Sequence, residues 1–157
     1  MLKNSDELNG MREAGKLAAE VLEMITDYVK PGISTGELDE ICFKYITDVQ
    51  KAIPANVGYR GFEKTLCTSI NQVICHGIPD TNRILKSGDI MNIDVTVIKD
   101  GWHGDTSKMF LIGKAQSHNE RLVRVTQECL YKGIEAARPG ARPVSYTHLR
   151  AHETSSN

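Results

Sequence analysis

Two aspartates stand where apolar residues are expected. In MNIDVTVIKDGWHGDTSKMF (residues 91–110), Val, Ile, Met and Phe have strand character, and Asp100-Gly101 is a hairpin turn signal. Asp94 and Asp105 interrupt the two arms, and a carboxylate is costly to bury unless it is paired, hydrogen-bonded or bound to a metal. A two-residue turn at Asp100-Gly101 puts Asp105 opposite Thr96 and Asp94 opposite Ser107. Side chains alternate along a strand, so both aspartates share a face as diagonal neighbours, roughly 7–8 Å apart. Asn92, Thr96, His103 and Ser107 lie on that face, while Met91, Ile93, Val95, Val97, Phe110 and Ile112 lie on the other. Converging carboxylates repel, which a shared proton or a cation relieves. Oxygen ligands suit Mg, Ca or Mn, and an added imidazole admits Fe, Co or Zn. The bland reading is two solvent-facing aspartates on a half-exposed antiparallel sheet.

His76 is the second candidate. In Cys75-His76-Gly77-Ile78-Pro79 it ends a strand-like run, and the Gly and Pro of the turn can present its imidazole rigidly. A histidine so placed can polarise a carbonyl or carry a proton; a surface turn histidine is the plain alternative. His103, His118, His148 and His152 form no HExxH motif.

The whole chain sets limits on this chemistry. Its 157 residues suffice for one domain with a core, and 40% hydrophobic with 25% charged residues is ordinary for a globular protein. A net charge of −1 offers no electrostatic case for nucleic acid or an anionic membrane. The polar start MLKNSDELNG lacks the apolar centre of a signal peptide, and no apolar run reaches membrane-spanning length. Four cysteines (Cys42, Cys67, Cys75, Cys129) form no CxxC pair, which fits free thiols in a reducing cytoplasm.

Several elements must position these groups. Ser5 is the expected cap of a first helix, whose apolar positions Met11, Ala14, Leu17, Ala18, Val21, Leu22, Ile25 and Val29 precede the stop Pro31-Gly32. Ser34-Thr35-Gly36-Glu37 reads as a capping box, opening a helix with Leu38, Ile41, Cys42, Tyr45, Ile46 and Val49. Leu66 to Cys75 alternates like a strand, and the hairpin follows the loop from Asp80 to Asp89. A third helix spans about Asn119 to Ala137. Two helices, three or more strands and a helix predict an α+β fold with an antiparallel sheet. Val29-Lys30-Pro31-Gly32 is echoed at Ala137-Arg138-Pro139-Gly140. Near Pro143 the composition turns to Ser, Thr, His and Arg with no apolar period.

LAAEVLEMITDYVKPGISTGELDEIC, TSINQVICHGIPD and SGDIMNIDVTVIKDGWHGDTSKMFLIGK, with Gly58-Tyr59-Arg60-Gly61-Phe62, resemble the N-terminal half of the bacterial type I methionine aminopeptidases, up to about Gly140. The resemblance implies the first half of a pita-bread fold, a pseudo-symmetric pair of α+β halves around two divalent metal ions. Cobalt, manganese, iron and zinc are all compatible. By position, Asp94 matches a ligand of one metal, Asp105 the ligand bridging both, and His76 the histidine near the scissile bond. Tyr59, Phe62 and Cys67 match the methionine side-chain pocket, and Asn71 and Val73 a monovalent-cation site. Asn56 stands where the family often has cysteine, and Glu63 where it usually has proline.

The implied activity is removal of the initiator methionine from nascent proteins with a small second residue, by attack of metal-activated water on the peptide carbonyl. The implied setting is cytoplasmic, with Met-initiated peptides as partners and transient ribosome association as a compatible one. No membrane or direct nucleic-acid binding and a monomeric full-length parent are expected. The family's remaining ligands, a histidine and two glutamates, have no matching segment here. The expected organisation is therefore a truncated catalytic domain at 1–142 and a foreign or disordered tail at 143–157, where VSYTHLRAHET resembles translated adaptor sequence. The chain alone is then expected to be inactive. A non-catalytic pita-bread binding protein should lose the aspartates. A phosphotransferase or nuclease should bring a Gly-rich phosphate loop or a basic face, and neither is found. Prolidase-like enzymes are nearer competitors, against which CHGIP and GWHGDTSKMF favour the methionine enzymes.

Overall fold

The computed structural model describes residues 4–142. Helix α1 runs from Ser5 to Ile25. Its cap is Asn4, not the expected Ser5: Asn4 has extended backbone and its Oδ1 accepts the Glu7 N–H at 2.9 Å. The helix also stops short of Val29. The Thr26 hydroxyl donates to the Leu22 carbonyl (2.7 Å), and the chain turns through residues 26–28 before Pro31 is reached. Helix α2, Thr35–Lys44, opens with the expected capping box: Ser34 Oγ accepts the Glu37 N–H, and the Ser34 N–H donates to the Glu37 carboxylate. These bonds hold the Glu37 carboxyl below its usual range. A wider π-helical turn, Tyr45–Val49, continues α2.

The sheet contains β1 (Ile53–Pro54), β2 (Leu66–Ile70), β3 (Ile90–Lys99) and β4 (Trp102–Leu111), all antiparallel. β3 is the hub, pairing with β4 along one edge and with β2 and β1 along the other. β2 ends at Ile70, five residues before the expected Cys75. Asn71 stops it by turning to positive φ (52°) and capping the next strand: its Oδ1 accepts the Ile90 N–H and its Nδ2 donates to Asp89. Such side-chain bonds compete with continued strand pairing.

One face of the sheet is core. Leu17, Val21 and Ile25 of α1 and Leu38, Cys42 and Ile46 of α2 and its π turn pack with Leu66, Ile70, Met91, Ile93, Val95 and Val97. Burying each large aliphatic side chain contributes about 1.5–3 kcal/mol. α1 lies close on β4. A methyl group on Gly104 would run into the Ala14 carbonyl, and one on Gly10 into the Trp102 indole.

Among the described residues, those from Gln116 to Arg142 belong to a separate compact unit. Within it, α3 covers Ser117–Ala136, carries an Arg124–Glu128 ion pair at 2.7 Å, and exposes Leu122, Val125, Leu130 and Ile134. The architecture is the expected α+β. Residues 143–157, where a foreign tail is expected, lie outside the described residues. Among the described residues no helix is long and apolar enough to cross a membrane.

Candidate metal centre

The hairpin places the two aspartates as the turn register requires. Asp100 and Gly101 both have positive φ (50° and 83°), which suits the tight turn and matches the twist of the strands. Asp94 pairs with Ser107 and Asp105 with Thr96. On the other side of β3, Cys67 pairs with Asp94. Asp94, Asp105 and Cys67 therefore share the face of the sheet away from the core. Asp94 is half-buried and Asp105 exposed.

These carboxylates interact. Burial first, then the charge and close side chain of Asp105, push the Asp94 carboxyl above its usual range, and His76 pulls it partly back. Two acids held at one point, one of them resisting ionisation, form a donor set that a hard or borderline divalent cation would neutralise. The residues present thus fit a metal centre in part. Among the described residues, no group of three or more His, Cys, Asp or Glu side chains is placed to hold a metal ion.

His76 arrives by a different route. It is exposed, in the loop after β2, and its backbone is left-handed (φ 56°), uncommon for a residue with a side chain. The loop is pinned from behind. The Thr68 N–H donates to the Gly77 carbonyl (2.7 Å) and the Gly77 N–H to Ser69 Oγ (3.2 Å). A Cβ on Gly77 would collide with the Thr68 carbonyl. Nearby charge effects place His76 within electrostatic reach of Asp94.

The other candidate residues lie on β2 and in the loops before and after it. Cys67 is buried, and its thiol is pushed up to about 11 by burial and then by Asp94, Cys75 and Asp105. This thiol stays neutral near pH 7, as a pocket wall would. Tyr59 is exposed in a short turn, Tyr59–Gly61, with the Arg60 guanidinium 5.5 Å from its ring centre, and Phe62 is half-buried. Asn71 is engaged with Asp89 and Ile90, and the Val73 N–H donates to the Ile70 carbonyl (3.0 Å). Asn56, the departure from cysteine, donates to the Thr65 carbonyl (2.9 Å), and Glu63 is exposed.

Sequence reading missed two supports. Asp39 is buried, and its Oδ1 accepts the N–H groups of Thr65 and Leu66 at 2.8 Å each, anchoring the start of β2 beside Cys67. Burial raises the Asp39 carboxyl while those two bonds draw it down. Its signal was a carboxylate on the apolar stripe of α2, between Leu38 and Cys42. Ser69, the hydroxyl that holds Gly77, carries no signal in the sequence beyond an ordinary strand position.

Asp94, half-buried, and Asp105, exposed, thus meet on one antiparallel hairpin, with His76 from a left-handed turn within electrostatic reach of Asp94. The model of metallopeptidase family M24 matches residues 9–154, and the chain belongs to that family. The methionine aminopeptidase of Salmonella typhimurium is 61% identical over 141 residues, which are 90% of this chain and 53% of that protein. Among solved structures, the methionine aminopeptidase from Rickettsia prowazekii is 52% identical with a TM-score of 0.84, covering 89% of this chain and 56% of that one. The methionine aminopeptidase from Thermotoga maritima is 30% identical with a TM-score of 0.90, covering 95% and 59%. The fold is the first half of the pita-bread arrangement. The chain spans about half the length of the curated relatives it matches.

Proposed function

We propose that this chain carries one half of the active centre of a methionine aminopeptidase, which removes the initiator methionine from new proteins with a small second residue. The observation that carries the reading is the Asp94–Asp105 pair on one sheet face, with His76 within electrostatic reach of Asp94. Asp94 would hold one divalent ion and Asp105 would bridge two. The chemistry such ions supply when bound is activation of a water at neutral pH and polarisation of the peptide carbonyl. His76 hydrogen-bonds the substrate beside the scissile bond, its position preset by the left-handed turn. Tyr59, Phe62 and Cys67 enclose the methionine side chain, and the neutral Cys67 thiol keeps that pocket apolar. Backbone groups at Asn71 and Val73 are offered to a monovalent cation. Cobalt, manganese, iron or zinc would suit the divalent sites. The partners are Met-initiated peptides in the cytoplasm, met in transient association with the ribosome, and the full-length parent acts as a monomer. Residues 1–142 would supply the half of the catalytic domain that carries Asp94, Asp105 and His76.

Two aspartates fall short of the about four to six ligands that such ions take, so the 157-residue chain alone binds metal weakly and does not turn over. Calorimetric titration with Mn²⁺ tests the centre: weak binding is expected, reduced at least about tenfold in Asp94→Asn or Asp105→Asn. Binding unchanged in both variants would refute it. Methionine release from a Met-Ala-Ser peptide by the highly purified chain would overturn the inactivity.

A further inference from the structure

Two thiols lie beside the candidate site, and the methionine pocket uses only Cys67. Cys67 is buried on β2, paired with Asp94, and Cys75 is exposed in the loop after β2; both are free thiols. Cys42 sits in the core, and Cys129 belongs to α3. The loop folds back on β2 just past Cys75. The Thr68 N–H donates to the Gly77 carbonyl (2.7 Å), Ser69 Oγ accepts the Gly77 N–H (3.2 Å), and a Cβ on Gly77 would strike the Thr68 carbonyl. Gly77 is therefore fixed against the residue next to Cys67. The other end of the loop is fixed by Asn71, through Asp89 and Ile90. In a regular strand pair, alternation would set the face that each side chain takes. The left-handed His76 (φ 56°) breaks that alternation between Gly77 and Cys75, which frees Cys75 to turn toward the face that bears Cys67. Cys75 acts electrostatically on the Cys67 thiol, as Asp94 and Asp105 do.

We propose that Cys67 and Cys75 form a redox modification site, in which a peroxide joins them in a reversible disulfide that draws the His76 turn onto β2. The exposed Cys75 meets the oxidant first. Its thiolate sulfur attacks the O–O bond of hydrogen peroxide, giving the sulfenic acid and, with the thiol proton, one water. The Cys67 sulfur then attacks the sulfenic sulfur, the S–S bond forms, and the hydroxyl leaves with the Cys67 proton as a second water. Two thiols lose two electrons and two protons, and one peroxide becomes two waters. A small dithiol returns both thiols by exchange. The bond requires roughly 4–7 Å between the two Cα atoms, so residues 72–76 settle onto β2 between their fixed ends at Asn71 and Gly77. His76, next to Cys75, turns with it. In a reducing cytoplasm disulfides are transient, and a bond of this kind acts as a sensor rather than a staple. The bond itself does not depend on the methionine aminopeptidase reading. Its consequence does: oxidation would move His76 from the substrate and alter the Cys67 wall of the pocket.

Peroxide treatment of the full 157-residue chain, followed by alkylation and tryptic mass spectrometry, tests this. Lys64 and Arg83 bound a tryptic peptide, residues 65–83, that contains both cysteines and no other cleavage site. The expected product is that peptide lighter by two hydrogens and carrying no alkyl group, with both alkylation sites restored by dithiothreitol. In Cys67→Ser, Cys75 should be trapped by dimedone as the sulfenic acid. In Cys75→Ser, Cys67 should remain alkylatable after the same treatment. The His76 ring signal of the unaltered chain should shift on oxidation and return on reduction. Two alkylated thiols in peptide 65–83, oxidation of Cys75 past the sulfenic stage, or a bond from either thiol to Cys42, to Cys129 or to a second chain would overturn the pair. A disulfide that leaves the His76 signal in place would overturn its hold on the turn. Failure of the Mn²⁺ titration strikes the metal-centre reading and leaves the disulfide standing, so the two fail separately.

Discussion

The hairpin β3–β4 and the loop from Asn71 to Pro79 hold their candidate side chains by opposite means. The hairpin does it by register. Once Asp100 and Gly101 turn the chain, every later side chain has an assigned partner and face, and Asp94 and Asp105 meet without further help. The loop has no register. His76 is aimed by one left-handed residue, by two hydrogen bonds to β2, and by a glycine pressed on the Thr68 carbonyl. A site assembled from both kinds of support has one arm that tolerates local change and one that hangs on single atoms.

The largest effect expected is global and comes from the hairpin. Gly104→Leu drives a side chain into the α1 backbone at Ala14, where nothing flexible can yield. The loss should be about 3 kcal/mol, seen as a lower urea midpoint. Gly77→Ala should cost less, about 1–2 kcal/mol, yet displace His76. Loop amides and the His76 ring should shift in NMR spectra while those of β3 and β4 stay put. Should the hairpin signals move as much, the two arms are not independent.

His76→Gly separates positioning from stability. Glycine relieves the left-handed strain, offset in part by its greater freedom when unfolded, for a net gain of about 0.5 kcal/mol. Destabilisation instead would mean that the imidazole makes contacts worth more than the strain. The smallest effect is the pH dependence of the metal-free chain. Asp94 has a raised folded pKa, so its contribution is fully present below the ordinary carboxylate range and is lost as pH rises through the raised value. Stability from this group therefore falls from acid toward neutral pH, the reverse of a paired carboxylate. Urea midpoints at several pH values should show Asp94→Asn with a flatter profile and a higher midpoint at pH 7, and added Mn²⁺ should cancel the difference in the unaltered chain.

Much of this molecule was legible in its sequence. Residues 91–110 specified the turn, the register and the shared acidic face, because strand side chains alternate strictly and a two-residue turn leaves no freedom of pairing. Ser34 and Glu37 specified the start of α2, since a capping box is a local exchange of hydrogen bonds. Local signals misled where two neighbours compete. Ser5 and Asn4 can both cap α1, and the outcome depends on which adopts extended backbone. Alternation from Leu66 toward Cys75 suggested one strand, but Asn71 turns away to bond Asp89 and Ile90, eighteen and nineteen residues on.

By itself, then, the sequence determined the elements, the hairpin register and the carboxylate pair, all set by interactions within a few residues or across one tight turn. Only the tertiary structure decided how His76 is held, that Asp39 anchors β2, and that Gly104 lets α1 approach β4. Each of these rests on groups far apart in the chain, and the contacts between them exist only after packing.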